Sequence, residues 1–197
     1  MMTSPQEYRE AVLEVLPPQG DWSEEDYLWL TDHVTRPIEF SDGNLEVLPM
    51  PTSKHQAILR FLLFVFYHYL QPRGGIVLFA PLRVRLRSGK FREPDLLALL
   101  DAGDPRFQNR YWLGADLVLE VVSEDEPERD LVTKRREYAE SGIPEYWIVN
   151  PLDQTVTVLV LRSTQYAEHG HFLRGTTATS ALLPAFSVSV DAIFDAV

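Results

Sequence analysis

Two carboxylates interrupt strand-forming stretches near the middle of the chain: Asp95 in Arg92-Glu93-Pro94-Asp95-Leu96, and Glu120 in Asp116-Leu117-Val118-Leu119-Glu120-Val121-Val122. An unpaired carboxylate in an apolar interior is costly, and two in adjacent strands call for a cation that neutralises both. A divalent metal is the simplest such group. Along residues 116–122 the strand period of two puts Asp116, Val118, Glu120 and Val122 on one face and Leu117, Leu119 and Val121 on the other. Glu120 therefore shares its face with aliphatic side chains. Asp95 follows a proline, which fits a strand start or an edge from which a side chain reaches into a cleft. Two convergent oxygens, completed by waters and phosphate oxygens, suit magnesium, with manganese as a substitute. Such an ion would activate a water and stabilise charge developing on a phosphate. A purely structural reading stands beside this one: Asp95 caps a turn, and Glu120 pairs with an arginine such as Arg83 or Arg85.

The elements that must position these groups can be read from periodicity and punctuation. Residues 5–16 and 23–33 read as two short amphipathic helices separated by Pro17-Pro18-Gln19-Gly20, with Ser23 as N-cap of the second. Ile38-Glu39-Phe40 and Leu45-Glu46-Val47-Leu48 flank the Asp-Gly signal of a hairpin. A buried helix is expected over 53–70, ended by Gln71-Pro72-Arg73-Gly74-Gly75. Strands are expected near 76–79, 82–87 and 94–100, the last two joined by a turn at Ser88-Gly89-Lys90, and then over 116–122. Ser123 with Glu126 fits a capping box for a helix running to about Ser141 and closed by Gly142. A buried strand over 145–149 precedes a β-rich tail: a strand over 155–161, a hairpin around Glu168-His169-Gly170, and a last piece near 186–190. The order implies an α/β fold, a mixed sheet flanked by helices with a β-rich C-terminal part. The expected division is an N-terminal helical appendage, 1–22, and one domain over 23–197.

Composition narrows the chemistry further. The chain of 197 residues has no cysteine, which excludes disulfides and thiolate metal sites, and its five histidines show no zinc-ligand spacing. No basic segment followed by an apolar one opens the chain, and the apolar run from Ile58 to Tyr69 is too short to span a bilayer. The expected location is the cytoplasm. A net charge of −11 argues against generic affinity for nucleic acid. The charge is partitioned, however: Lys54 to Arg92 contains eight basic residues and no acidic one, while residues 1–50 hold eleven acids against two bases. Arg83, Arg85 and Arg87 alternate with Val84 and Leu86, with Lys90 and Arg92 close behind. This row could track a phosphate backbone, or it could supply partners for the acidic N-terminal segment.

Pro94-Asp95 followed by Glu120-Val121-Val122 resembles the PD-(D/E)XK nuclease superfamily, whose two acids hold a metal and whose lysine orients the attacking water. Val122 stands where that lysine would be. A longer series is more particular: Glu39-Phe40-Ser41-Asp42-Gly43, His55-Gln56, Pro94-Asp95-Leu96, Leu119-Glu120-Val121-Val122-Ser123, then Asp130, Lys134 and Tyr138, then Gly142-Ile143-Pro144-Glu145-Tyr146-Trp147-Ile148-Val149. It resembles the Uma-type restriction endonuclease family within that superfamily, over residues from about 23 to 194. The resemblance implies a restriction-endonuclease-like fold and magnesium-dependent hydrolysis of phosphodiester bonds, in DNA before RNA. Asp95 and Glu120 would hold the metal, with the carbonyl of Val121 and with Glu39 as a further acid. The lysine would be Lys134, moved to the following helix.

Helical spacing from Leu131 and to Tyr138 puts Lys134 on an inward stripe, whereas a plain Asp130–Lys134 pair is the bland alternative. Arg83, Arg85 and Lys90 are the candidates for substrate contact. His55 reads more readily as a core or helix-start residue than as a catalytic one, and Tyr138 and Trp147 as core aromatics. Two other functions stay open: a catalytically inactive interaction module on the same fold, and a hydrolase of another class, such as a glycosidase, built on paired carboxylates. A homo-oligomeric state is left open as well.

Overall fold

The computed structural model describes residues 16–196. The expected helix over 5–16, and with it most of the expected appendage, falls outside the described residues. What is described of that segment packs onto the domain: the amides of Gly20 and Trp22 both donate to the Gly43 carbonyl, and Trp22 is buried with Tyr27, Phe40 and Phe91. Gly43 cannot be replaced without moving backbone, because it has positive φ and a Cβ there would run into Gly20.

Helix α1 (Glu24–His33) starts at a full capping box made by Ser23 and Asp26. Strands β1 (Ile38–Ser41) and β2 (Asn44–Val47) form the expected hairpin, with Asp42 and Gly43 both at positive φ as a two-residue turn of this type requires. Helix α2 (Ser53–Leu70) is capped by Thr52 and has no acidic residue in its first turn. Strand β3 (Ile76–Phe79) comes next. The following segment departs from the expectation of one strand over 82–87 joined to another over 94–100. It forms three strands, β4 (Val84–Arg87), β5 (Lys90–Arg92) and β6 (Leu96–Leu99). Pro94 lacks an amide donor, so the ladder breaks there and the chain passes from one sheet to another.

Two sheets result. The smaller one runs β2-β1-β5-β4 and carries α1. The larger one runs β10-β9-β8-β7-β6-β3, with β7 (Leu117–Val121), β8 (Glu145–Asn150), β9 (Thr155–Arg162) and β10 (Gln165–Phe172). Only β7 and β8 in it are parallel, and the segment between them is helical. A small ladder of β11 (Thr177–Thr179) and β12 (Ser187–Ser189) and a short helix α4 (Val190–Phe194) close the chain. One face of the large sheet packs against α2 through Ile58, Leu62 and Phe66, and the other against Trp112, Tyr138 and Ile143. Along β7 the faces divide as periodicity requires: Leu117, Leu119 and Val121 pack under α2, while Val118 and Val122 lie on the opposite face.

Two local expectations are corrected. The helix after β7 is not started by a Ser123–Glu126 capping box. Ser123 accepts only a 3.4 Å bond from the Asp125 amide, and helix begins at Pro127, whose fixed φ and missing N–H suit the first helical position. It then widens into a π-helical stretch, Arg129–Lys134, before continuing as α3 (Arg135–Glu140). The hairpin of the tail turns at Ser163-Thr164, with Ser163 at positive φ, not at 168–170. Glu168 to Gly170 is instead where the β9–β10 register shifts, a bulge that glycine accommodates.

Candidate active site

β6 and β7 pair antiparallel with Leu96 opposite Leu119 and Leu97 opposite Val118, and the next step of that register sets Asp95 opposite Glu120. The two acids are tied into each other's strands. The Val121 amide donates to Asp95 Oδ2 at 2.7 Å, and the Asp95 amide makes a long 3.4 Å contact to Glu120 Oε2. Both side chains lie on the sheet face covered by the helix that follows β7. That helix supplies the rest: Lys134 Nζ donates to Glu120 Oε1 at 2.8 Å, and the Tyr138 hydroxyl donates to the same oxygen at 2.6 Å. A wider helical turn lets Asp130 and Lys134, four apart, point inward together, and their charged atoms are 3.2 Å apart.

Lys134 is 2% exposed and sits within 4 Å of three carboxylates, Glu120, Asp130 and Glu39. Burial opposes its charge, but these acids outweigh burial and raise its pKa. Burial dominates at Glu120 and pushes its carboxyl up to about 8 despite Lys134, with Asp130 and Asp95 adding repulsion. Burial and the neighbouring Glu39 push Glu93 up to about 7. Glu39 itself goes the other way: burial is overcome by Lys134 and Arg92, so it stays ionised. At His55 burial again opposes the charge, but the bond to Asp95 at 3.1 Å raises the pKa.

These groups open into a cleft of about 340 Å³ lined by six carboxylates, Glu93, Asp95, Glu120, Glu124, Asp125 and Asp130, against Lys54, Arg129, Lys134 and His55. Acidic side chains outnumber basic ones there. Glu120 Oε2 has only the long Asp95 contact, Asp130 Oδ1 is buried with only the Lys134 ammonium beside it at 3.2 Å, and Asp95 Oδ1 accepts none among the described residues. Among those residues no three acidic or histidine side chains form a ready-made metal cage. Two carboxylates with room for water are nonetheless the donor set that magnesium takes, since it dehydrates reluctantly. The residues present fit such an ion.

A family model, Uma2, described as putative restriction endonuclease, matches residues 24–191. The chain belongs to the Uma2 family. A search of curated proteins returns no match. Among solved structures, this Uma2 chain is similar to a protein from Anabaena variabilis described as a putative nuclease belonging to DUF820. The TM-score is 0.70 at 20% identity, covering 86% of this chain and 97% of that one. At that identity the likeness speaks to the fold, which is restriction-endonuclease-like, a mixed α/β arrangement of sheets flanked by helices.

Of the residues singled out in the sequence, Asp95, Glu120, Val121 and Lys134 all line the Uma2 cleft. Glu39 is wholly buried behind Lys134, where it accepts the Glu93 amide and faces Arg92. The arginine row is joined to carboxylates within the chain. Arg83 binds Asp32, Arg85 binds Glu24, Arg87 binds Asp42, and Lys90 binds Glu137. The acidic N-terminal segment thus supplies three of the four partners.

His55, given the weaker catalytic reading in sequence, is in the cleft, held on Asp95. Asp130 and Glu93 were missed as cleft acids. Asp130 had a signal, its four-residue spacing from Lys134, but the wider helical turn that buries it does not follow from spacing alone. Glu93 had one in its place beside Pro94. No helix among the described residues is long and apolar enough to cross a membrane.

Proposed function

We propose that this chain is a metal-dependent endonuclease that hydrolyses phosphodiester bonds, in DNA in the first instance, with magnesium or manganese as the cofactor. The observation that supports it most is the crowding of three carboxyl groups, Asp95, Glu120 and Asp130, at one cleft, with the single ammonium of Lys134 shared between Glu120 and Asp130. Asp95 and Glu120 would hold the cation, with the Val121 carbonyl beside them. The ion, when bound, supplies Lewis-acid polarisation of the phosphate and lowers the pKa of a coordinated water.

The chain's own residues do the rest. Tyr138 and Lys134 bind one oxygen of Glu120 and so orient the other toward the cleft. Lys134 keeps its proton because three carboxylates surround it, and its ammonium can steady a nearby water or the negative charge that grows on the phosphate. Glu39 acts from behind as the anchor of Lys134 and Arg92. His55 holds Asp95 Oδ2, leaving Oδ1 to face the cleft. Val122, buried among aliphatic groups, cannot carry the superfamily's usual lysine, and Lys134 reaches the same acid from the helix.

Calorimetric titration of magnesium or manganese into the wild type, Asp95→Ala and Glu120→Ala tests this reading without knowledge of the substrate. Binding that vanishes in both variants supports a shared metal site. Unchanged binding in either folded variant would overturn it.

A further inference from the structure

A second hollow adjoins the acidic cleft and has the opposite character. Its volume is about 560 Å³, and it is lined by Pro51, Thr52, Ser53, Gln56, Ala57, Leu59, Arg60, Leu63 and Phe79. Pro51, Thr52, Gln56 and Leu59 also line the cleft, so the two are continuous. No acidic residue lines the second hollow, whereas six line the first.

Three observations bear on what it would hold. Phe79 ends the edge strand β3 and is 51% exposed, an aromatic ring presented beside Leu63 at the surface. Gln56, Ser53 and Thr52 place amide and hydroxyl groups at one end of that apolar floor. Arg60 and Lys54 make no ion pair among the described residues. In the same acid-free window every base from Arg83 to Arg92 is paired with a carboxylate. Three cations of the window are left without a carboxylate among the described residues: Lys54 and Arg60, which sit beside the hollow, and Arg73, which lies on the Tyr69 ring and carbonyl at the far end of α2. Along α2 the spacing of four carries this character onward from Gln56 through Arg60 to Phe64, itself 55% exposed.

We propose that this hollow is a nucleobase subsite next to the scissile phosphate, which takes an unpaired base of a nucleic-acid strand. Phe79 stacks on the face of the base, Gln56 with Ser53 and Thr52 binds its edge, and Arg60 and Lys54 meet the flanking phosphates. An aromatic ring can take the face of a base only where that face is not already stacked, so the substrate carries single-stranded character at this point. The charge division lets a chain of net charge −11 engage a polyanion, because two cations without carboxylate partners among the described residues, Lys54 and Arg60, stand beside the acidic cleft. The inference rests on the nuclease reading, whose metal site it adjoins.

The test uses the full chain in EDTA, so that neither cleavage nor metal enters, and reads fluorescence anisotropy. The probes are a labelled oligothymidylate, an abasic strand of equal length and a blunt duplex. The wild type is expected to bind the oligothymidylate about 5- to 100-fold more tightly than the abasic strand. Phe79→Ala should remove that difference, Phe79→Trp should keep it, and Arg60→Gln should weaken both strands alike. Circular dichroism confirms that each variant is folded. Equal binding of the base-bearing and abasic strands by the wild type would overturn the subsite. So would a preference for the duplex, or self-association that Phe79→Ala abolishes while strand binding is unchanged. Absence of metal binding in the separate calorimetry would remove the nuclease reading without touching this base dependence.

Discussion

Neighbouring strands of the large sheet each bury a glutamate, and the two are treated in opposite ways. Glu145, at the start of β8, is 0% exposed and fully satisfied by neutral donors. The Trp147 indole and the Ser180 hydroxyl donate to Oε1, and the amides of Ala181 and Leu182 donate to Oε2. Glu120, near the end of β7, has one oxygen bound by Lys134 and Tyr138 and the other left toward a cleft with further acids. Burial of a carboxylate is thus no sign of chemistry in itself. What distinguishes Glu120 is burial with fewer donors beside a cleft of further acids, the setting in which a carboxyl pKa is pushed up. Glu145 instead pins the loop before β12 against the sheet, a structural use of the same side chain.

Breaking the two glutamate environments separately should therefore give different phenotypes. The largest effect is expected at the proposed metal pair, Asp95 and Glu120. Asp95→Asn or Glu120→Gln should lower magnesium-dependent cleavage of a DNA substrate by on the order of 10³-fold, about 4 kcal/mol in barrier, in single-turnover assays. Lys134→Met should come next, because it leaves Glu120, Asp130 and Glu39 buried without their shared cation. Urea denaturation in EDTA should show a loss of about 3 kcal/mol, and added magnesium should restore part of it. Glu145→Gln should destabilise by about 2 kcal/mol, since an amide cannot accept all four donors, while metal affinity of the folded protein stays at the wild-type value.

Smaller effects are expected in the paired-charge region of the small sheet. Burial opposes the charge of Glu137, but Arg92 and Lys90 overcome it and hold its pKa below the ordinary 4.5. A depressed pKa stabilises the fold above the unfolded value and ceases to do so as pH falls through the folded one. Glu137→Gln should consequently flatten the acid limb of the stability curve below about pH 4.5, read from denaturation midpoints. Arg85→Ala, which cuts a half-exposed pair with Glu24, should cost under about 1 kcal/mol. A change in nucleic-acid affinity for that variant as large as that of Arg60→Gln would blur the contrast between spent and unspent cations.

Several parts of this architecture were legible in the residues alone. Alternation along 116–122 put Glu120 on the right face, Asp-Gly set the hairpin, and Ser23 capped α1, because each depends on contacts a few residues apart. Spacing alone also pointed Lys134 inward. The helix start was misread because Pro127 competes with the Ser123 signal, and the tail hairpin because Gly170 serves a bulge as readily as a turn. The strand expected over 94–100 is present as β6, but the expectation missed β5 between the turn and Pro94, and with it the change of sheet there.

Local pattern, then, determined which side chains are apolar or charged, where elements begin, and that two carboxylates lie in strands. Whether each charge is spent or left over was decided only by tertiary structure. Arg85 meets Glu24 and Lys134 meets Glu39 across sequence distances that no short-range rule spans. The physical reason is that desolvation and pairing depend on everything within a few ångströms in space, whatever its position in the chain. The same sequence class, a glutamate in an apolar strand, therefore became a closed structural knot at Glu145 and, at Glu120, an acid with one oxygen left toward an open cleft.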